Sequence, residues 1–222
     1  VNIEEDAIVN LTGTIGIASR SGALNATLSN AGTINFNASA HSIRTNDTAD
    51  SADTDFDITN EVCGRMNLGV NSMKLWGTTS NIENNGLITY TGAGAGISIV
   101  TGNTATNNAF FKYDNASNFA SGSGAPATDN GIDINVAADL IEDAGTSCAV
   151  ADLGIDAAHD WFSDAAGSSP VGSSDAAGAI TFDDYSFAAP GTQTIYTCYG
   201  SDVAFTVNNV SGTCTDPAPA PP

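Results

Sequence analysis

The sequence predicts a mainly β chain, built as an immunoglobulin-like or jelly-roll-type antiparallel sandwich with one or two short inserted helices. Three observations carry that expectation. Gly, Asn, Ser and Thr interrupt almost every apolar run after a few residues, which is the punctuation of many short strands. Between the breaks apolar and polar residues alternate: Phe56, Ile58, Asn60 and Val62 interleave with Asp55, Asp57, Thr59 and Glu61. The 222 residues, 41% of them hydrophobic, suit one large all-β domain with a core. No period of 20–50 residues stands out, so a solenoid or propeller is not expected.

The first 17 residues hold the longest alternation. Val1, Ile3, Glu5, Ala7, Val9, Leu11, Gly13, Ile15 and Ile17 occupy the odd positions, and among the even ones only Ile8 is clearly apolar. Period two gathers the odd set on one face of a strand. Burying six or seven aliphatic side chains is worth on the order of 10 kcal/mol before ordering costs, and a bare edge of this kind aggregates. The strand must therefore pair, either in its own domain's sheet or by addition to a neighbour's. Glu5 breaks the apolar register, so it needs a bulge, a partner, or a strand that begins at Ala7.

This terminal pattern, followed by Gly32-Thr33-Ile34-Asn35-Phe36, resembles donor-strand-exchanged filament subunits, the chaperone–usher pilins including their spore-coat-like class. The resemblance covers the first 35 residues or so. It implies an incomplete immunoglobulin-like sandwich in which Val1, Ile3, Ala7, Val9, Leu11, Ile15 and Ile17 fill a groove in the next subunit.

Further strands are expected at 23–29, 31–38, 54–62, 68–76, 86–91, 96–101, 131–136, 178–187, 193–199 and 202–210. Gly200-Ser201 is expected to turn a hairpin before the last of them. Helical spacing of Val136, Leu140 and Ile141, and of Val150, Leu153, Ala157 and Trp161, predicts short helices within 136–143 and 149–164. Low-complexity loops fall at 119–130 and 165–178. The expected organisation is a donor strand at 1–18, a sandwich over 19–215 with an acidic insertion around 119–178, and a polyproline-type tail at 216–222.

Five Lys and Arg stand against 25 Asp and Glu, a net charge of −20. Residues 113–222 carry no base at all. That balance argues against nucleic acid, whose phosphates need a basic surface, and against anionic lipid. No apolar run is long enough for a transmembrane helix, so no membrane insertion is expected. The opening Val1-Asn2-Ile3-Glu4-Glu5-Asp6 reads as a mature, secreted N-terminus. Cys63, Cys148, Cys198 and Cys214 form no CxxC pair, which suits two disulfides in an oxidising compartment. Three pairings are open. The short loop favours Cys198–Cys214, leaving Cys63–Cys148.

Material for catalysis is poor. His41 and His159 are the two histidines, and no GxSxG elbow surrounds a serine, so no enzyme and no catalytic residue are expected. Calcium is the one candidate cofactor. Asp53, Asp55 and Asp57 open like an EF-hand loop, but Ile58 and Gly64 stand where its Gly and Glu belong. Asp152, Asp156, Asp160 and Asp164 recur every four residues, as on one helix face. A sugar site would draw on Trp76, Trp161, Tyr185, Tyr196 or Tyr199. The expectation is a structural subunit of an extracellular, pilus-like filament that polymerises with identical subunits by N-terminal strand donation. The alternative is a cell-surface calcium- or carbohydrate-binding module.

Overall fold

A computed structural model describes residues 1–19, 24–45, 54–76, 79–113, 118–122, 128–129, 132–134, 140–142, 149–150, 155–175, 179–182 and 191–210. The chain divides into two compact units, Val1–Asn135 and Val136–Pro222.

The first unit is a β-solenoid, not an antiparallel sandwich. Its coils follow one another along the chain. They comprise β1 (Asn2–Ile3) and β2 (Ile8–Ser19); β3 (Leu24–Asn30) and β4 (Thr33–Thr45); β5 (Thr54–Asn60), β6 (Arg65–Asn67) and β7 (Met73–Leu75). Then come β8 (Asn81–Asn84), β9 (Leu87–Tyr90) and β10 (Ala95–Ile99); β11 (Thr104–Asn107), β12 (Phe110–Tyr113) and β13 (Asn118–Gly122); and β14 (Thr128–Asp129) with β15 (Ile132–Ile134). Every pairing in this unit is parallel. One sheet runs β1-β3-β5-β8-β11-β14. In the other, the long β4 pairs with β2 and continues as two arms, β6-β9-β12-β15 and β7-β10-β13.

Parallel stacking puts equivalent residues of successive coils side by side. The clearest product is a ladder of buried asparagines. Asn30 Nδ2 donates to Asn60 Oδ1 at 2.8 Å, Asn60 Nδ2 to Asn84 Oδ1 at 2.8 Å, and Asn84 Nδ2 to Asn107 Oδ1 at 2.7 Å. All four are fully buried. A primary amide donates and accepts at once, so copies one coil apart satisfy one another where solvent cannot. The corner after each asparagine needs a small residue. A Cβ on Gly64 would meet the Asn30 carbonyl oxygen at 2.2 Å, and one on Gly86 would meet that of Gly64 at 2.3 Å. Apolar columns fill the interior: Leu28, Ile58, Ile82 and Ala105 from one sheet, and Ile34, Met66, Ile88 and Phe111 from the other.

The repeat was present in the sequence but irregular. Asn30, Asn60, Asn84 and Asn107 are spaced by 30, 24 and 23 residues. In the third coil Val62-Cys63 lengthens the corner before Gly64, and Cys63 takes a positive φ of 64°. The period is hidden chiefly by the 30-residue interval, which holds the 13-residue β4.

The second unit is a single, mainly antiparallel sheet, not the two-sheet sandwich expected. Its strands are β16 (Leu140–Glu142), β17 (Ala149–Val150), β18 (His159–Phe162), β19 (Pro170–Ser174), β20 (Ile180–Phe182), β21 (Gly191–Thr197) and β22 (Gly200–Val210). They form one sheet in the order β16-β22-β21-β18-β19-β20-β17, with β16 alone parallel to its neighbour. Gly200, at φ 61°, ends the turn of the β21–β22 hairpin and begins β22. Trp161 and Phe205 meet edge to face at 5.4 Å in its core.

No described residue is helical. The expected helices over 136–143 and 149–164 are replaced, where described, by strands and bends. The reason lies in the burial. Ile155, Ala157, His159 and Trp161 are inside, while Asp156, Ala158 and Asp160 are exposed, so period two holds. Asp156, Asp160 and Asp164 therefore share no helix face, and Asp152 lies outside the described residues. The loop expected at 165–178 contains β19. The tail at 216–222 lies outside the described residues.

Candidate functional site: the first coil and the outer faces

The strand expected to be donated is occupied within its own chain. From Ile8↔Thr33 to Ser19↔Thr45, β2 runs parallel to β4, with a register shift between Gly13 and Ile15. Before it, Asn2 and Ile3 pair with Ser29 and Asn30. This corrects the donor-strand assignment of Val1, Ile3, Ala7, Val9, Leu11, Ile15 and Ile17. Apart from the exposed Val1, their apolar face turns toward the interior of its own solenoid. Ile3, Leu11 and Ile17 pack on the core cluster. Glu5 and Asp6 form the exposed turn between β1 and β2, so the residue out of register never enters a strand.

This coil differs from the next one in how well it is covered. Ile34, Phe36 and Ile43 of β4 are at most 3% exposed, whereas Ala7, Val9, Leu11, Ile15 and Ile17 are only half-buried. Val1 and Ile8 are 79% and 68% exposed. The backbone shows the same asymmetry. Thr33 N–H donates to Ala7 O at 2.8 Å, so in this stretch odd-numbered residues supply the groups that β4 uses. Alternation then turns the N–H and C=O of Ile8, Asn10 and Thr12 toward the far edge. Among the described residues, β4 is the one strand paired with β2.

The outer face of the β3-β5-β8-β11 sheet is a polar lattice. Asn81 Nδ2 donates to Asp57 Oδ1 at 2.8 Å, and Thr104 Oγ1 donates to Asn81 Oδ1. Thr79 N–H donates to Asp55 Oδ1 at 2.9 Å. The candidate calcium ligands are therefore used as coil-to-coil acceptors, while Asp53 lies outside the described residues. Among the described residues no three His, Cys, Asp or Glu side chains gather as a metal site.

Cys63 and Cys198 are each disulfide-bonded. Cys148 and Cys214, their expected partners, lie outside the described residues. A disulfide is consistent with the expected extracellular location.

His159 is 2% exposed and faces the Tyr199 ring at 6.0 Å. Burial lowers its pKa to about 4, so it stays neutral. Trp161 and Tyr199 are core residues, and Tyr185 lies outside the described residues. Trp76 is different: half-buried, it stands beside Arg44, Lys74 and His41. Sequence reading singled out the tryptophan and missed its neighbours. The one available signal was that Arg44 and Lys74 belong to a set of only five basic residues.

No family model, curated protein or solved structure matches the chain.

Proposed function

We propose that this chain is a structural element of an extracellular assembly, extended when the first coil of one copy receives a strand from another. The mechanism is edge addition, with no strand donated out of the fold. The observation that carries it is the half-buried apolar face of β2, flanked by a backbone edge that β4 does not use. An incoming strand would pair with that edge and cover Val9, Leu11, Ile15 and Ile17 at the same time. A net charge of −20 opposes contact between copies, so assembly should strengthen as salt screens the repulsion.

Two substitutions test this in the full chain. Ile8→Lys places a charge on the exposed edge. Thr12→Pro removes an N–H that β4 does not accept, a position where an edge strand tolerates proline. Sedimentation velocity and negative-stain microscopy should show concentration- and salt-dependent assembly of the natural chain. Both variants should stay monomeric with an unchanged far-ultraviolet spectrum. A natural chain that remains monomeric at high concentration and high salt, or variants that assemble equally well, would overturn the proposal.

A further inference from the structure

The edge of β2 that β4 leaves unused also specifies which strand fits it. β2 is 12 residues long and carries neither a charged side chain nor a proline, two of the devices that keep edge strands from pairing. The nearest acidic residues, Glu4, Glu5 and Asp6, all precede it and gather at one end. Its outer face ends a column of hydrogen bonds with a definite polarity. Thr89 Oγ1 donates to Asn67 Oδ1 at 2.7 Å, Asn67 Nδ2 to Asn35 Oδ1 at 2.6 Å, and Asn35 Nδ2 to Asn10 Oδ1 at 2.9 Å. Each group donates toward the first coil. Asn10 turns its carbonyl oxygen to Asn35, so its Nδ2 faces the far edge as a donor. Asn10 and Thr12 are both exposed.

A second copy of β2 meets these conditions in one arrangement. Antiparallel pairing about a twofold axis normal to the sheet keeps both apolar faces on the same side, so each interior runs on into the other. It also carries the two acidic ends to opposite ends of the paired stretch. A parallel stack would set Glu4, Glu5 and Asp6 of both copies side by side. Ile8, Asn10 and Thr12 present their N–H and C=O to this edge, so an even-numbered residue must face an even-numbered one. Asn10 opposite Asn10 would set donor against donor, and Asn10 opposite Ile8 would offer the amide nothing. Asn10 opposite Thr12 gives it a hydroxyl oxygen, and symmetry makes that bond twice. Leu11 then lies on the axis against Leu11 of the second copy, and Val9 faces the second copy's Gly13, where no side chain intrudes. We propose that the chain forms a head-to-head dimer in which β2 pairs antiparallel with β2 of a second copy, Asn10 opposite Thr12. The dimer rests on the edge addition proposed above and adds the incoming strand, its direction and its register.

Sedimentation equilibrium of the full chain, with salt added to screen the net charge of −20, should resolve a reversible monomer–dimer equilibrium. An open series of larger species with no dimer would overturn the closed pair and leave edge addition standing. Monomers at every concentration would overturn both. Thr12→Val should weaken dimerisation about tenfold, and Thr12→Ser should leave it close to the natural value, both with unchanged thermal unfolding. Equal affinities for Thr12→Val and the natural chain would remove Thr12 as the acceptor and overturn the register. Single substitutions Val9→Cys, Asn10→Cys and Leu11→Cys, oxidised mildly, read the same register independently. Residues paired across the axis have Cα atoms about 4.5–5.5 Å apart, within disulfide reach, and residues off the axis lie beyond it. Leu11→Cys should therefore give the most covalent dimer on a non-reducing gel. A stronger dimer band from Val9→Cys or Asn10→Cys would move the axis and overturn the assignment.

Discussion

Residues 1–135 and 136–222 build sheets from similarly alternating segments and reach different interiors. In the first unit a strand's neighbours are the equivalent strands one coil away, so one residue type can be used repeatedly at one position. Asparagine can therefore be buried four deep, each copy satisfying the next. In the second unit neighbours run mostly antiparallel and differ in sequence, and the interior is aromatic and aliphatic, with Trp161, Phe182, Phe205 and Val207 at its centre. Buried polarity follows the same division. The amides of the first unit pair with one another, while His159 of the second is kept neutral by burial. Parallel stacking lets equivalent buried amides satisfy one another, whereas buried Ser174 and Thr197 of the second unit donate to backbone carbonyls.

The largest expected effect comes from the middle of the ladder. Asn60 accepts from Asn30 and donates to Asn84, Gly64 and Leu87. Asn60→Ala should orphan amide groups on both sides and destabilise the first unit by about 3–4 kcal/mol. Urea unfolding of the Trp161→Phe background, in which Trp76 reports on residues 1–135, measures this. A loss below about 1 kcal/mol would mean the ladder is decoration and the contrast fails.

The second effect belongs to His159 and has a definite sign. Its folded pKa of about 4 lies below the ordinary 6.5, so between those values the unfolded chain binds the extra proton. Stability of the second unit is then full above pH 6.5 and falls as the pH drops toward 4, by about 3 kcal/mol in total. Trp161 fluorescence in a Trp76→Phe background follows the transition. His159→Gln should flatten the dependence between pH 6.5 and 5, and an unchanged slope would assign it to other groups.

The smallest effect tests the ladder's open end. Asn30 Oδ1 is buried without a hydrogen-bond partner, and its register neighbour in the first coil is Ile3. Ile3→Asn would extend the ladder by one amide, a bond worth about 1 kcal/mol that offsets the lost isoleucine packing. It should therefore be less destabilising than Ile3→Ala by about that amount in the same urea assay. Equal losses would show that the first coil does not continue the amide column.

Much of the local structure was readable from residues. Period two placed Phe56 and Ile58 inside and Asp55 and Asp57 outside, and it identified the inward face of the first strand. The helix expected around Trp161 failed because Ala157 and Trp161 satisfy both a period of four and a period of two, and only burial separates them. At the candidate calcium residues the sequence left the neighbours unseen: Asp55 and Asp57 accept hydrogen bonds from Thr79 and Asn81, in the next coil.

By itself the sequence determined that the chain is β-rich, where its strands alternate, and that its surface is strongly acidic. Tertiary structure alone decided which strand lies beside which. A strand's side chains alternate identically whether its backbone bonds to a hairpin partner, to the next coil or to another molecule, because hydrogen-bond partners distant in sequence leave no local mark. For the same reason, Arg44 meets Lys74 and Trp76 only when one coil is laid upon another.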